Sequence, residues 1–180
     1  SRSAKDITLL FDIMAGPDND MGRGWRLELP KPTKTSIAEY SVVVWSDSDF
    51  IPVSDEVREN AFAVGSNLER HGARVSYDAR PDFDPHVSHY AYVEMLYAHV
   101  SRYSTDAEMY KSHVAELESI YPPGDPYYDA VLRGYKQTHW HFYRLEHTQD
   151  LIRAAWSDFF DHWDVVIMPA FPTVAMKHDH

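Results

Sequence analysis

Tyr40 to Trp45 reads YSVVVW, and Arg74 to Asp78 reads RVSYD. The first run is short, β-branched and aromatic, which suits a strand buried on both faces, and Asp47, Ser48 and Asp49 close it. Between the two runs Ser54 stands at a helix N-cap position. Asp55 and Glu56 follow where the helix dipole favours negative charge, and Val57, Ala61, Val64 and Leu68 form one apolar stripe. Gly72 supplies the stop before the second run. Strand, helix and strand in this order make a βαβ unit, which requires a right-handed crossover and a parallel strand pair covered by helices.

Outward from this unit, Ser3 and Asp6 have capping-box spacing with Asp in place of Glu. Ile7, Leu10, Phe11 and Met14 then recur at helical spacing until Gly16 and Pro17. Asp18 to Ser36, with Gly22, Gly24, Pro30 and Pro32, shows no steady period and reads as a surface connection. From Pro85 a helix runs to about Tyr103, a second spans roughly Asp106 to Tyr121, and Pro122, Pro123, Gly124 and Pro126 break the chain. Val131, Tyr135, Thr138, Phe142, Leu145, Gln149, Ile152, Trp156, Phe159 and Trp163 then alternate steps of four and three, a heptad-like seam. An unbroken helix from Tyr127 to His162 would be about 54 Å long, so the sequence predicts either a kink near Gly134 or an extension beyond this chain's own core. Asp164 to Met168 reads as a last strand, stopped by Pro169. The expected fold is α/β: a small mixed sheet with a βαβ unit, flanked by several helices including one long C-terminal helix. Its parts are a helix plus βαβ region at 1–84, a helical region at 85–163, and a final strand and tail at 164–180.

The chain has 180 residues, no cysteine, and 28 acidic against 17 basic side chains, a formal charge of −11. Without cysteine it holds no disulfide scaffold, no Cys-zinc module and no thiol nucleophile. A sequence pI near 5.3 disfavours a phosphate backbone or an anionic leaflet, so neither nucleic acid nor membrane is an expected partner. Hydrophobic residues at 44% and aromatics at 14% suit a packed body rather than a disordered one. No run approaches the ~18 apolar residues of a membrane helix. Ser1 to Asp6 shows no secretory signal, which leads to a cytoplasmic expectation.

Both ends of the chain resemble the C-terminal part of the amidase signature family. Arg2, Ser3, Asp6, Leu9, Leu10, Ala15, Gly16 and Pro17 match that family's Arg-Ser-x-x-Asp helix ending in Ala-Gly-Pro. His71, Gly72 and Ala73 match the turn before its next strand, and Asp164, Val165, Pro169, Pro172 and Thr173 match its Asp-Val-x-x-x-Pro-x-x-Pro-Thr strand. The resemblance spans the chain from end to end. It implies hydrolysis of a carboxamide C–N bond, giving a carboxylate plus ammonia or an amine, through a serine activated by a second serine in a cis peptide and a lysine. A serine hydroxyl needs a neighbouring base, and the oxyanion needs backbone donors, usually on a glycine-rich loop. The family's Gly-Gly-Ser-Ser-Gly-Gly loop lies upstream of the Arg-Ser-x-x-Asp helix with which this chain begins. The 180 residues contain no Gly-Gly, no Ser-Ser, no Gly-x-Ser-x-Gly and no Ser-x-x-Lys. No catalytic residue is therefore carried over, and the chain is expected to be inactive alone.

Other signals have plainer readings. His139 and His141 point to different faces of a helix, His86 and His89 could meet, and His178, Asp179 and His180 read as a frayed end. No metal site and no cofactor is expected. Trp140, Phe142, Tyr143, Trp156, Phe159, Phe160 and Trp163 read as core before pocket. Asp47, Asp49, Asp55, Glu56 and Glu59 lack the spacing of an EF-hand loop. The turn from Pro169 to Val174 has more functional content. Ligands of open α/β sheets bind beyond strand C-termini, and Phe171 and Thr173 are the candidate substrate-binding residues there. Two functions are expected: the C-terminal portion of an amidase acting on a small-molecule amide, or a non-catalytic binding or assembly module derived from one. Either leaves an apolar face through which the chain is expected to self-associate.

Overall fold

The computed structural model describes residues 3–49, 51–101 and 106–177. Arg2, Tyr103 and the terminal His178, Asp179 and His180, all used in the sequence reading, lie outside them. The chain divides into two compact units, Ser1–Thr35 and Ser36–His180.

In the first unit α1 runs from Ala4 to Met14, followed by a 3-10 turn at Met21–Arg23 and otherwise irregular chain. Ser3 occupies the N-cap, but its side chain makes no capping hydrogen bond, so the capping box expected with Asp6 does not form. A full capping box stands instead at Ser36, whose backbone N–H donates to the Glu39 carboxylate at 2.8 Å ahead of the Ile37–Glu39 turn.

The second unit carries the sheet: β1 (Ser41–Val44), β2 (Arg74–Ser76) and β3 (Val165–Ile167). Its order is β2-β1-β3. Both pairings are parallel, Val42 standing opposite Val75 on one side and Val165 on the other. The sheet among the described residues is thus wholly parallel, where a mixed one was expected. Every connection passes through helices, so no strand is led back antiparallel. As the central strand β1 is buried throughout Val42, Val43 and Val44, as its YSVVVW composition requires.

The βαβ crossover is α2 (Asp55–Arg70), ended by Gly72 at φ +91°. Its buried positions are Ala61 and Gly65, whereas Val64, placed in the stripe from sequence, is exposed. The reason is contact distance. A Cβ on Gly65 would lie 2.7 Å from Val44 Cγ2 and 2.9 Å from the Tyr77 hydroxyl, so only glycine lets the helix approach the sheet this closely. Arg74 fastens the edge: its Nε donates to Ser41 Oγ at 3.1 Å and its Nη2 to the His162 carbonyl at 2.8 Å, and its guanidinium lies 4.2 Å from the Trp163 ring centroid.

The remaining helices are α3 (Pro85–Ser101), α4 (Ala107–Ile120), α5 (Pro126–Tyr135) and α6 (His139–Phe160). Of the two outcomes expected for the seam, a kink near Gly134 or an extension beyond the core, the first is nearer: the chain breaks between Tyr135 and His139, and Thr138 caps the new start by accepting from the His141 N–H at 3.2 Å. Val93, Ala130 and Val131 form the core between α3 and α5, ringed by Tyr90, Tyr97, Tyr121 and Tyr135. A buried carboxylate completes it. Glu94 accepts from Arg133 Nε at 2.7 Å, and its other oxygen lies 2.8 Å from His141 Nε2, tying α3, α5 and α6 together.

Gly134 is where α5 crosses α3. A Cβ there would stand 2.6 Å from the Glu94 carbonyl oxygen and 2.8 Å from Tyr97 Cβ. Gly134→Ala is expected to cost about 1–3 kcal/mol in urea unfolding despite alanine's better helix propensity; a neutral or stabilising result would refute this packing.

Candidate functional site

Parallel strands all point their carboxyl ends to one edge of the sheet, and the chain leaving each of these three ends reaches the same place. Trp45 to Asp49, with Ile51 and Val53, follows β1; Arg80 to His86, without Asp82, follows β2; Met168 to Pro172 follows β3. Together they enclose a cavity of about 660 Å3. That volume lies in the range of small-molecule sites, and its position, beyond the carboxyl ends of the strands, is where open α/β sheets bind ligands.

Backbone bonds hold the three segments. Trp45 N–H donates to the Ile167 carbonyl at 2.9 Å, and Asp164 N–H to the Ser41 carbonyl at 2.9 Å, extending the β1–β3 ladder at both ends. The Ser54 N–H, at the start of α2, donates to the Pro172 carbonyl at 2.9 Å and so fixes the turn after β3. Ser54 Oγ is buried without a hydrogen-bond partner, so the N-cap position is filled without its capping bond.

The wall is mainly apolar. Trp45 and Phe83 are backed by Trp156 of α6, at centroid distances of 6.3 and 5.8 Å. The predicted aromatic stripe accordingly divides: Trp156 and Phe159 pack inward behind the wall, while Trp140 and Tyr143 are exposed. Arg80 is the cation of the site. Its Nη1 donates to the Tyr77 and Ala79 carbonyls at 2.9 and 2.8 Å, its Nη2 to Asp47 at 2.7 Å, and its guanidinium lies 5.0 Å from the Trp45 ring centroid. Burial, then the Glu69 carboxylate that accepts from its hydroxyl, push the Tyr77 phenol above its ordinary value. Asp84 lies at the start of α3 and accepts from the His86 N–H at 2.8 Å.

Of the two candidates read from sequence, Phe171 lines the cavity and is exposed to it. Thr173 is exposed too but is not among the lining residues. Trp45, Phe83 and Arg80 were not singled out. The signal that finds them is position, since each stands just beyond the C-terminal end of a parallel strand. The histidines lie elsewhere or serve other ends: His141 pairs with Glu94, His139 meets Tyr143 edge-on at 4.7 Å, and burial, then His86, hold His89 below the ordinary imidazole value. Among the described residues no three His, Asp or Glu side chains are grouped to hold a metal.

Removing the guanidinium would leave the Tyr77 and Ala79 carbonyls and Asp47 without this donor. Arg80→Met is expected to cost about 1–3 kcal/mol and to shift Trp45 emission; unchanged stability and spectrum would show that Arg80 does not shape the wall.

A family model described as Amidase matches residues 1–180. The chain belongs to the amidase family. No curated protein and no solved structure matches it significantly.

Proposed function

We propose, with amidase family membership as the premise, that this chain is the C-terminal portion of a hydrolase that converts a carboxamide to a carboxylate plus ammonia or an amine. The observation that carries the reading is the apolar cavity at the carboxyl ends of all three parallel strands. In this reading β1 and β3 form part of the enzyme's sheet, and Trp45, Phe83 and Phe171 wall the pocket that holds the amide's apolar end. Such a wall positions the scissile carbonyl and excludes bulk water, which is where an apolar surface helps a polar reaction. The nucleophilic serine and the cis-serine belong to the Gly/Ser-rich loop, with the catalytic lysine upstream of it, and these 180 residues contain no such loop. Alone, the chain binds but does not turn over amides. Assays with aliphatic and aryl amides are expected to show no hydrolysis above background; serine-dependent turnover would overturn the assignment.

The second reading is a non-catalytic assembly module, favoured by the exposed surface. Within the second unit large apolar side chains stand exposed, among them Phe62, Tyr92, Trp140 and Leu151. On α1 no residue is buried, and Ile13 and Met14 are 71% and 77% exposed. A stable protein interface needs only about 800 Å2 per partner, so there is ample area for one. In either reading the chain self-associates. Light scattering at tens of micromolar is expected to give a mass above 20.9 kDa; a strict monomer at high concentration would count against the exposed face being an interface.

A further inference from the structure

The cavity has a charge pattern that its apolar wall does not explain. Three carboxylates line it, those of Asp47, Asp49 and Asp84, against one guanidinium, Arg80. Arg80 is committed: Asp47 neutralises it at 2.7 Å, and two backbone carbonyls take its Nη1. It therefore offers little to an incoming anion. Asp84 faces the amino end of the 17-residue α3, whose dipole and His86 N–H offset part of its charge. Asp49 has no ion-pair partner among the described residues. The cavity is thus apolar around its body and negative at its rim.

We propose that this rim selects the substrate by charge. The site takes apolar amides that are neutral or carry a cation remote from the amide, and it rejects those carrying a carboxylate. Asp49 is the residue that sets the preference. This deepens the reading of the cavity as the amide site and rests on it. The physical basis is simple. An uncompensated carboxylate several ångströms from a ligand charge in a water-exposed rim attracts a cation and repels an anion about equally, and low salt leaves the effect unscreened. The selectivity is a difference between two ligands, and the repulsive half contributes as much as the attractive half.

Three probes sharing one aryl amide framework test it on the full chain: benzamide, 4-(aminomethyl)benzamide and 4-carboxybenzamide, titrated at low ionic strength. Trp45 emission and the amide resonances of residues 45–49 and 168–172 serve as readouts. The cationic probe is expected to bind about three- to tenfold more tightly than the anionic one, with benzamide between them. Asp49→Asn should bring the cationic and anionic affinities together. Phe171→Ala should weaken all three. Both positions are exposed, so neither change threatens folding. If the three probes perturb the cavity but the anionic one binds as well as the cationic one, or if Asp49→Asn changes nothing, charge selection is wrong and the amide site stands. If no probe perturbs these residues, the cavity is not the amide site, and charge selection falls with it.

Discussion

The pairing of β1 with both of its neighbours is the constraint on which the rest of this fold depends. Val42, Val43 and Val44 leave almost no surface exposed, so their peptide groups must be satisfied within the sheet, and parallel partners on both sides do this. Parallel pairing in turn dictates helical crossovers, and it points the three strand ends to one edge. The cavity is a consequence of that geometry before any side chain is chosen. What the side chains add is its character: an aromatic wall backed by α6, a neutralised Arg80, and a negative rim.

The helical part follows a different rule. The apolar cluster of Val93, Ala130 and Val131 between α3 and α5 is small and ringed by tyrosines, and much of the definition of this part comes from close approach and from a buried charge. Gly134 sets the α3–α5 distance, and Glu94 holds Arg133 and His141 from two other helices. An apolar residue at position 94 would fill space but would not choose between neighbours. A carboxylate with two matched partners does choose, at the cost of being buried.

Most of the fold was legible in the sequence because its signals are local. The β-branched run of β1, the acidic start of α2, Gly72 and the Pro122–Pro126 break all act within a few residues, and the strands and helices stand where they indicate. The misreadings concern distance in space. Val64 was assigned to the buried stripe because glycine carries no hydrophobic signal, while Gly65 faces the sheet because of what lies opposite it. The break after Gly134 was foreseen in place but not as two separate helices, since Thr138 as an N-cap is indistinguishable in the seam from an ordinary small residue. At the site, Phe171 was reached through the strand-end argument. Trp45, Arg80 and Phe83 obey the same argument at the other two strand ends, but their membership of one cavity depends on the strand order, which no local pattern encodes.

The order in which the molecule can assemble follows from the sheet. β1, α2 and β2 are close in sequence and can associate early. The bonds between the Ser41 and Asp164 regions join residues 123 positions apart, and closing so long a loop is entropically unfavourable until the intervening helices have shortened it. The cavity, whose third side is the turn after β3, therefore comes into being only with that last closure. A chain that has formed β1, β2 and most of these helices still lacks the cavity, and its β1 edge stays open to a wrong strand until β3 arrives.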